Sequence, residues 1–134
     1  MTIVVGYVPT KEGRAALRRA GQECQRRGAD LVLVRTVRAG VPFDQETQVA
    51  FAGDLADLTA RLDAVGRRYE TREMTDSGDA ADDLLQVADE VHAEMIVIGL
   101  RRRTPVGKLI LGSNAQRILL DAACPVLAVK ADHA

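Results

Sequence analysis

The 134-residue sequence is poor in aromatic residues and in cysteine. It has no tryptophan, two tyrosines, two phenylalanines, four prolines and two cysteines. Two cysteines are too few for a disulfide framework or a cysteine-rich metal cluster. The fold must therefore rest on an apolar core, and a chain of this length can bury one. We predict that Cys24 and Cys124 are free thiols.

Long apolar runs, linkers and a large net charge are missing as well. No apolar run approaches the roughly 18 residues that cross a membrane, and the chain enters a strand directly after Met1, without the features of a signal peptide. The net charge of −1 gives the whole molecule no electrostatic preference for nucleic acid or an anionic membrane. We therefore expect a cytoplasmic protein with a single domain over residues 1–134, and with neither nucleic acid nor membrane as a partner.

The basic residues are nearly all arginines, and they occur in clusters. Three pairs, Arg18-Arg19, Arg26-Arg27 and Arg67-Arg68, fall at the surfaces or ends of predicted helices. We interpret these pairs as solvated faces. A fourth cluster, Arg101-Arg102-Arg103, falls in a loop that contains several glycines.

Strands and helices alternate along the whole sequence. Apolar runs predict strands over residues 2–8, 31–34, about 68–73, 95–98 and 126–129. Helical spacing predicts helices over about 11–27, about 44–65, from 77–79 onward, and over 114–121. This order implies a parallel sheet covered by helices on both faces. The third strand has few large apolar residues, which predicts an outer position.

The loop Gly99–Ser113 has the parts of an anion-binding site. Its glycines allow backbone N–H groups to approach a ligand, its cations balance negative charge, and a helix begins at its end. In parallel α/β sheets, ligands bind outside the carboxyl ends of the strands where the winding reverses. If it reverses between the first and fourth strands, the loops after Val8 and Ile98 face each other there.

At these residues the chain resembles the universal stress protein family over essentially its full length. Nucleotide-binding members carry Gly-x2-Gly-x9-Gly-Ser/Thr after the fourth strand, and Gly99, Gly112 and Ser113 match it with the correct spacing. Cys124-Pro-Val-Leu-Ala-Val129 closes the domain as in the family. The resemblance implies an α/β fold with an open five-stranded parallel sheet of order 3-2-1-4-5, of the adenine nucleotide alpha hydrolase-like type. It also implies ATP, with its phosphates on this loop and Mg²⁺ bound through them.

Two positions depart from the family pattern. Arg102 replaces the second glycine, and Val8 stands where binding members commonly place an acidic residue that meets the ribose. Ser113 and Asn114 are also candidate N-caps, and Gly99 has the alternative role of turning the chain at a strand end. The predicted nucleotide-binding residues are Val8, Pro9, Thr10, Gly99, Arg101, Arg102, Gly112, Ser113 and Asn114.

These observations favour a nucleotide-binding stress-response or signalling protein without robust catalysis. No base or water-orienting group accompanies the loop, as phosphoryl transfer requires, and neither histidine has a nucleophile or a ligand cluster nearby. Two alternatives stay open: a dimeric interaction module of the same fold that does not bind ATP, and a slow ATPase. The apolar edge strand 126–129 predicts a homodimer through antiparallel pairing of this strand with its copy.

Overall fold

The computed structural model describes residues 1–37, 44–75, 80–100 and 111–131. Within these ranges the chain alternates between strands and helices, as the sequence predicts. The elements are β1 (Thr2–Tyr7), α1 (Lys11–Arg27), β2 (Asp30–Val37), α2 (Gln45–Asp63), β3 (Tyr69–Thr75), α3 (Ala80–Glu90), β4 (Met95–Leu100), α4 (Ser113–Asp121) and β5 (Val126–Lys130).

The five strands form one parallel sheet in the order β3-β2-β1-β4-β5. This confirms the predicted fold class, the strand order and the outer position of β3. β1 lies at the centre, where Val4 pairs with Val32 of β2 on one side and with Ile96 of β4 on the other. β2 is longer than its apolar run because its polar carboxyl end continues to pair with β3.

Each face of the sheet has its own apolar core. On one face, α1 and α2 cover alternate residues of the central strands, including Ile3, Val5 and Val97. On the other face, α3 and α4 cover Val4 and Ile96 with their neighbours. Successive strand residues point to opposite faces, which is why β1 and β4 are apolar at nearly every position.

Local signals in the sequence set the ends of the helices. Thr10 is the N-cap of α1, where its Oγ1 accepts a hydrogen bond from Gly13 N, and Gly28 ends the helix in the left-handed conformation with φ 65°. These ends confirm the predicted helix. α2 is capped by Asp44 and ends before the predicted boundary; Val65 lies in the turn that follows and is exposed. The predicted start of α3 at residues 77–79 lies outside the described residues.

Both cysteines are free, as predicted. Cys24 is fully buried in the α1–α2 core, and its Sγ lies 3.7 Å from the carbonyl oxygen of Asp30. Burial raises the pKa of the Cys24 thiol to about 12, and the nearby Asp30 and Glu23 carboxylates add to this shift. The thiol therefore stays protonated in the folded protein at neutral pH.

Among the described helices, none combines the length and the apolar character that a membrane crossing requires.

The raised Cys24 pKa makes stability depend on pH in the alkaline range. The unfolded chain releases the thiol proton near pH 9 while the folded chain holds it, so the free energy of unfolding should fall as the pH rises from 9 toward 12. The fall attributable to this thiol is at most about 1.4 kcal/mol per pH unit. Urea unfolding at a series of pH values measures it. Cys24→Ala should show a shallower fall, and an unchanged slope would contradict the assignment.

Candidate functional site

The winding of the sheet reverses between β1 and β4. The chain leaves β1 into α1 on one face, whereas it proceeds from β4 to α4 on the opposite face. The carboxyl ends of these two paired strands therefore lie side by side, with a helix start above and below them. This is the position at which parallel α/β sheets receive ligands, and it is the position that the sequence predicts.

A three-residue turn connects β1 to α1. Thr10 N donates a hydrogen bond to Val8 O at 2.8 Å, with Pro9 between them. Thr10 Oγ1 accepts the hydrogen bond from Gly13 N at 3.1 Å, so this hydroxyl already has a structural role. The Val8 side chain is 48% exposed at the sheet edge. The structure thus places all three predicted residues of this turn at the candidate site.

The first turn of α1 packs directly on this connection, through a glycine that the sequence analysis does not single out. A Cβ on Gly13 would lie 1.8 Å from Val8 O and 2.7 Å from Val8 C. Backbone atoms cannot yield to such a contact, so only glycine fits there. The sequence signal that could have identified Gly13 is the short connection between β1 and α1. A helix that starts so soon after its strand must pass close to the strand end.

Gly99 has a comparable packing role on the neighbouring strand. It lies within β4, paired with Val129 of β5, and does not turn the chain. A Cβ on Gly99 would lie 2.4 Å from Glu12 O and 2.6 Å from Glu12 C. The alternative that Gly99 turns the chain at the strand end is therefore wrong, because the glycine is needed where α1 crosses β4.

α4 begins on the other side of the same edge. Gly112 is its N-cap, in an extended conformation and without a side-chain hydrogen bond to the first turn. Ser113 and Asn114 are the first helical residues, and both side chains are exposed. The prediction that one of them caps the helix is wrong, because the helix begins at Ser113 and glycine itself is acceptable at an N-cap. Among the residues that the structure describes, no side chain caps the first-turn N–H groups of α4.

The predicted cationic residues of the site, Arg101 and Arg102, lie outside the described residues. The same holds for the loop between them and Leu111. The structure therefore brings together Val8, Pro9, Thr10 and Gly99 at the ends of β1 and β4, and it describes Gly112, Ser113 and Asn114 at the start of α4. In the described ranges, no three histidine, cysteine, aspartate or glutamate side chains are placed to hold a metal ion.

A network of aromatic and charged side chains anchors α1 and α2 next to the site. Arg14 donates two hydrogen bonds to Asp54, at 2.8 Å and 3.0 Å. The ring centroids of Tyr7 and Phe51 are 4.9 Å apart, and the Arg35 guanidinium carbon lies 4.3 Å from the Phe51 centroid. Burial raises the pKa of Tyr7, and the Asp54 carboxylate contributes in the same direction. Sequence reasoning missed this network because its members are distant in the chain.

This architecture defines the class of open, doubly wound α/β proteins, in which the reversal point is the ligand edge. A sequence model of the Universal stress protein family matches residues 1–130. A universal stress protein from Mycolicibacterium smegmatis is 41% identical over 128 residues, which is 96% of this chain and 96% of that protein. The chain therefore belongs to the universal stress protein family.

Two solved structures show the same fold. A universal stress protein from Archaeoglobus fulgidus has a TM-score of 0.74 and 32% identity, and the match covers 97% of this chain and 98% of that one. A universal stress protein from the same organism in complex with dAMP has a TM-score of 0.68 and 27% identity, with the same coverage of 97% and 98%.

Replacing Gly13 by alanine should destabilise the protein even without a ligand. The added methyl group meets the Val8 backbone, and overpacking of this kind typically costs about 1–3 kcal/mol. Gly53 in α2 is the matched control, since a Cβ there meets nothing within 4 Å. Gly53→Ala should raise the free energy of unfolding by about 0.5–1 kcal/mol, because alanine favours a helix more than glycine does. Urea unfolding compares both variants with the parent protein, and equal stability of the two would contradict the packing role of Gly13.

Proposed function

We propose that this protein binds an adenine nucleotide at the carboxyl ends of β1 and β4 and acts in stress response or signalling without robust catalysis. The observation that carries the proposal is the start of α4 at the reversal point, where no side chain of the described residues caps the helix. The free N–H groups and the dipole of a helix N-terminus favour an anion. At the start of α1, by contrast, Gly13 N already donates a hydrogen bond to the Thr10 hydroxyl. We therefore assign the phosphates to the start of α4.

The family supports an adenine nucleotide as the ligand. The Archaeoglobus fulgidus relative in complex with dAMP has the same fold over nearly the whole chain. We propose ATP for this protein, with Mg²⁺ held by the phosphates, since this ion needs few protein ligands. Ser113 and Asn114 would offer backbone N–H groups, and the predicted Arg101 and Arg102 would balance the phosphate charge.

Recognition of the sugar should be weaker than that of the phosphates. Val8 presents an apolar side chain at the edge of the sheet, where a carboxylate would accept a ribose hydroxyl. A desolvated hydroxyl without a partner costs roughly 1–3 kcal/mol, which is up to about two orders of magnitude in affinity. Thr10 compensates in part, because its hydroxyl can still donate a hydrogen bond while it accepts one from Gly13 N.

Binding without turnover is favoured over catalysis by the residues at this edge. Among the predicted binding residues that the structure describes, Val8 and Pro9 are apolar, Thr10 and Ser113 carry hydroxyl groups and Asn114 carries an amide. None of these groups is a general base, and His92 lies just before β4, at the opposite end of the strand. A slow ATPase and an interaction module without ATP are the competing functions.

We propose that the protein acts in the cytoplasm, where ATP is abundant and thiols such as Cys24 stay reduced.

Thermal unfolding with Mg-ATP, dAMP and sulfate tests the nucleotide site. A ligand at 100 times its Kd adds about 2.7 kcal/mol, which raises the Tm by several degrees in a domain of this size. Gly112→Asp should abolish the shift by placing a carboxylate beside the phosphates, whereas the matched Gly53→Asp in α2 should retain it. No shift at millimolar Mg-ATP would contradict the proposal. An equal shift with sulfate would show a phosphate site without recognition of adenosine.

We also propose that the protein forms a homodimer through β5. Among the described strands β5 pairs with β4 alone, so its outer edge is available for antiparallel pairing with a second copy. On α4, Arg117 reaches toward α3, where it pairs with Asp82. Leu119 is about 200° further around the helix and therefore points toward the open edge. Leu119 is 39% exposed, which extends the apolar edge of β5 onto α4.

Analytical ultracentrifugation tests this assembly. The parent protein should sediment as a dimer at tens of micromolar, and Leu119→Asp should weaken dimerisation by about ten-fold or more, since a buried carboxylate without a partner is costly. Val49→Asp is the matched control, because Val49 is 65% exposed on α2 at a distance from β5. A monomeric parent protein would contradict the proposal, as would equal effects of the two substitutions.

A further inference from the structure

Arginines from α1, from α2 and from the turn after α2 lie around the middle and the carboxyl-terminal half of α1. The Arg61 side chain of α2 crosses Gly21, where its Cδ lies 3.2 Å from the position that a Cβ would take, and its Nη1 donates to Gln25 Oε1 at 3.0 Å. Arg67 Nη1 donates to the carbonyl oxygen of Gly28 at 2.8 Å. We call this the arginine surface, and it comprises Arg18, Arg26, Arg61 and Arg67.

The charge of the arginine surface is largely uncompensated. Arg61 and Arg67 are held by neutral acceptors, which fix the guanidinium groups without reducing their charge. Arg18 forms no ion pair with any described residue. In the described ranges, the carboxylate that pairs with this surface is Glu23, which is buried and lies 4.0 Å from Arg26.

Helix stability explains only part of this clustering. Basic residues in the last turn of a helix complement its dipole, which accounts for Arg26 and Arg27. Arg18 lies in the middle of α1, and Arg61 and Arg67 belong to other parts of the chain, so the dipole does not require them. Across the sheet, α3 carries four carboxylates (Asp82, Asp83, Asp89 and Glu90).

We propose that the arginine surface binds an acidic segment of a partner protein. Guanidinium groups pair with carboxylates through two parallel hydrogen bonds. One hydrogen bond to a neutral acceptor already fixes each of the Arg61 and Arg67 guanidinium groups, and their other N–H groups stay available to a partner. From Arg18 to Arg26 the helix advances about 12 Å, the length of three or four extended residues. A nucleic acid fits less well. Its phosphates would continue beyond the arginine surface and face the rest of this protein, whose net charge is −1.

Fluorescence anisotropy with a labelled peptide of about eight glutamates tests the proposal at low salt, where surface charges act most strongly. Arg18→Gln should weaken binding by about two- to five-fold, and Arg18→Gln/Arg26→Gln by about the square of that factor. Arg72→Gln is the matched control: it removes the same charge from an arginine that is already paired with Glu70 and Glu90. Its affinity should equal that of the parent protein.

A second variant tests the surface without removing any arginine. Glu23→Gln deletes the compensating carboxylate, so the peptide should bind about two-fold tighter. An oligonucleotide of equal charge and vesicles with anionic lipid serve as competing ligands and should bind more weakly than the peptide. No peptide binding at low salt would overturn the proposal. So would equal loss with Arg72→Gln, or tighter binding of either competing ligand.

Discussion

The close contact of α1 with the ends of β1 and β4 is the constraint on which the rest of the structure depends. Gly13 lies against the Val8 carbonyl group and Gly99 against that of Glu12, so backbone meets backbone in both places. α1 thereby fills one face of the reversal point, and the chain reaches α4 on the other. The contact also positions α2, which Arg14 holds through Asp54. The carboxyl edge is thus shaped by backbone before any ligand arrives.

The fold was accessible from the sequence because its signals are local. Apolar runs and helical spacing marked the elements, Gly28 marked the end of α1, and the sparse apolar residues of β3 marked an edge. The order of the strands followed from the family resemblance. Two boundaries differ from the prediction. β2 extends because its carboxyl end pairs with β3, and α2 stops before Val65 because the chain turns locally at Gly66, which has φ 69°.

The candidate site was accessible only in outline. Spacing located Gly99 and Gly112 at the correct edge, but the reason for Gly99 is the passage of α1 overhead, which no pattern around residue 99 reveals. The pairing of Arg14 with Asp54 joins residues distant in the chain, and periodicity contains no information on such pairs. The arginine pairs were interpreted as solvated faces, since sequence alone does not show which of these arginines lie beside Arg61 and Arg67.

The central position of β1 has a consequence for how the chain folds. β1 pairs with β2, its neighbour in the sequence, and with β4, which follows three helices later. Until β4 has formed, one edge of an almost wholly apolar strand is open, and such edges recruit other chains. Pairing across a long loop is slow because closing the loop costs entropy. The addition of β4 is therefore the step in folding at which aggregation competes most directly with the native structure.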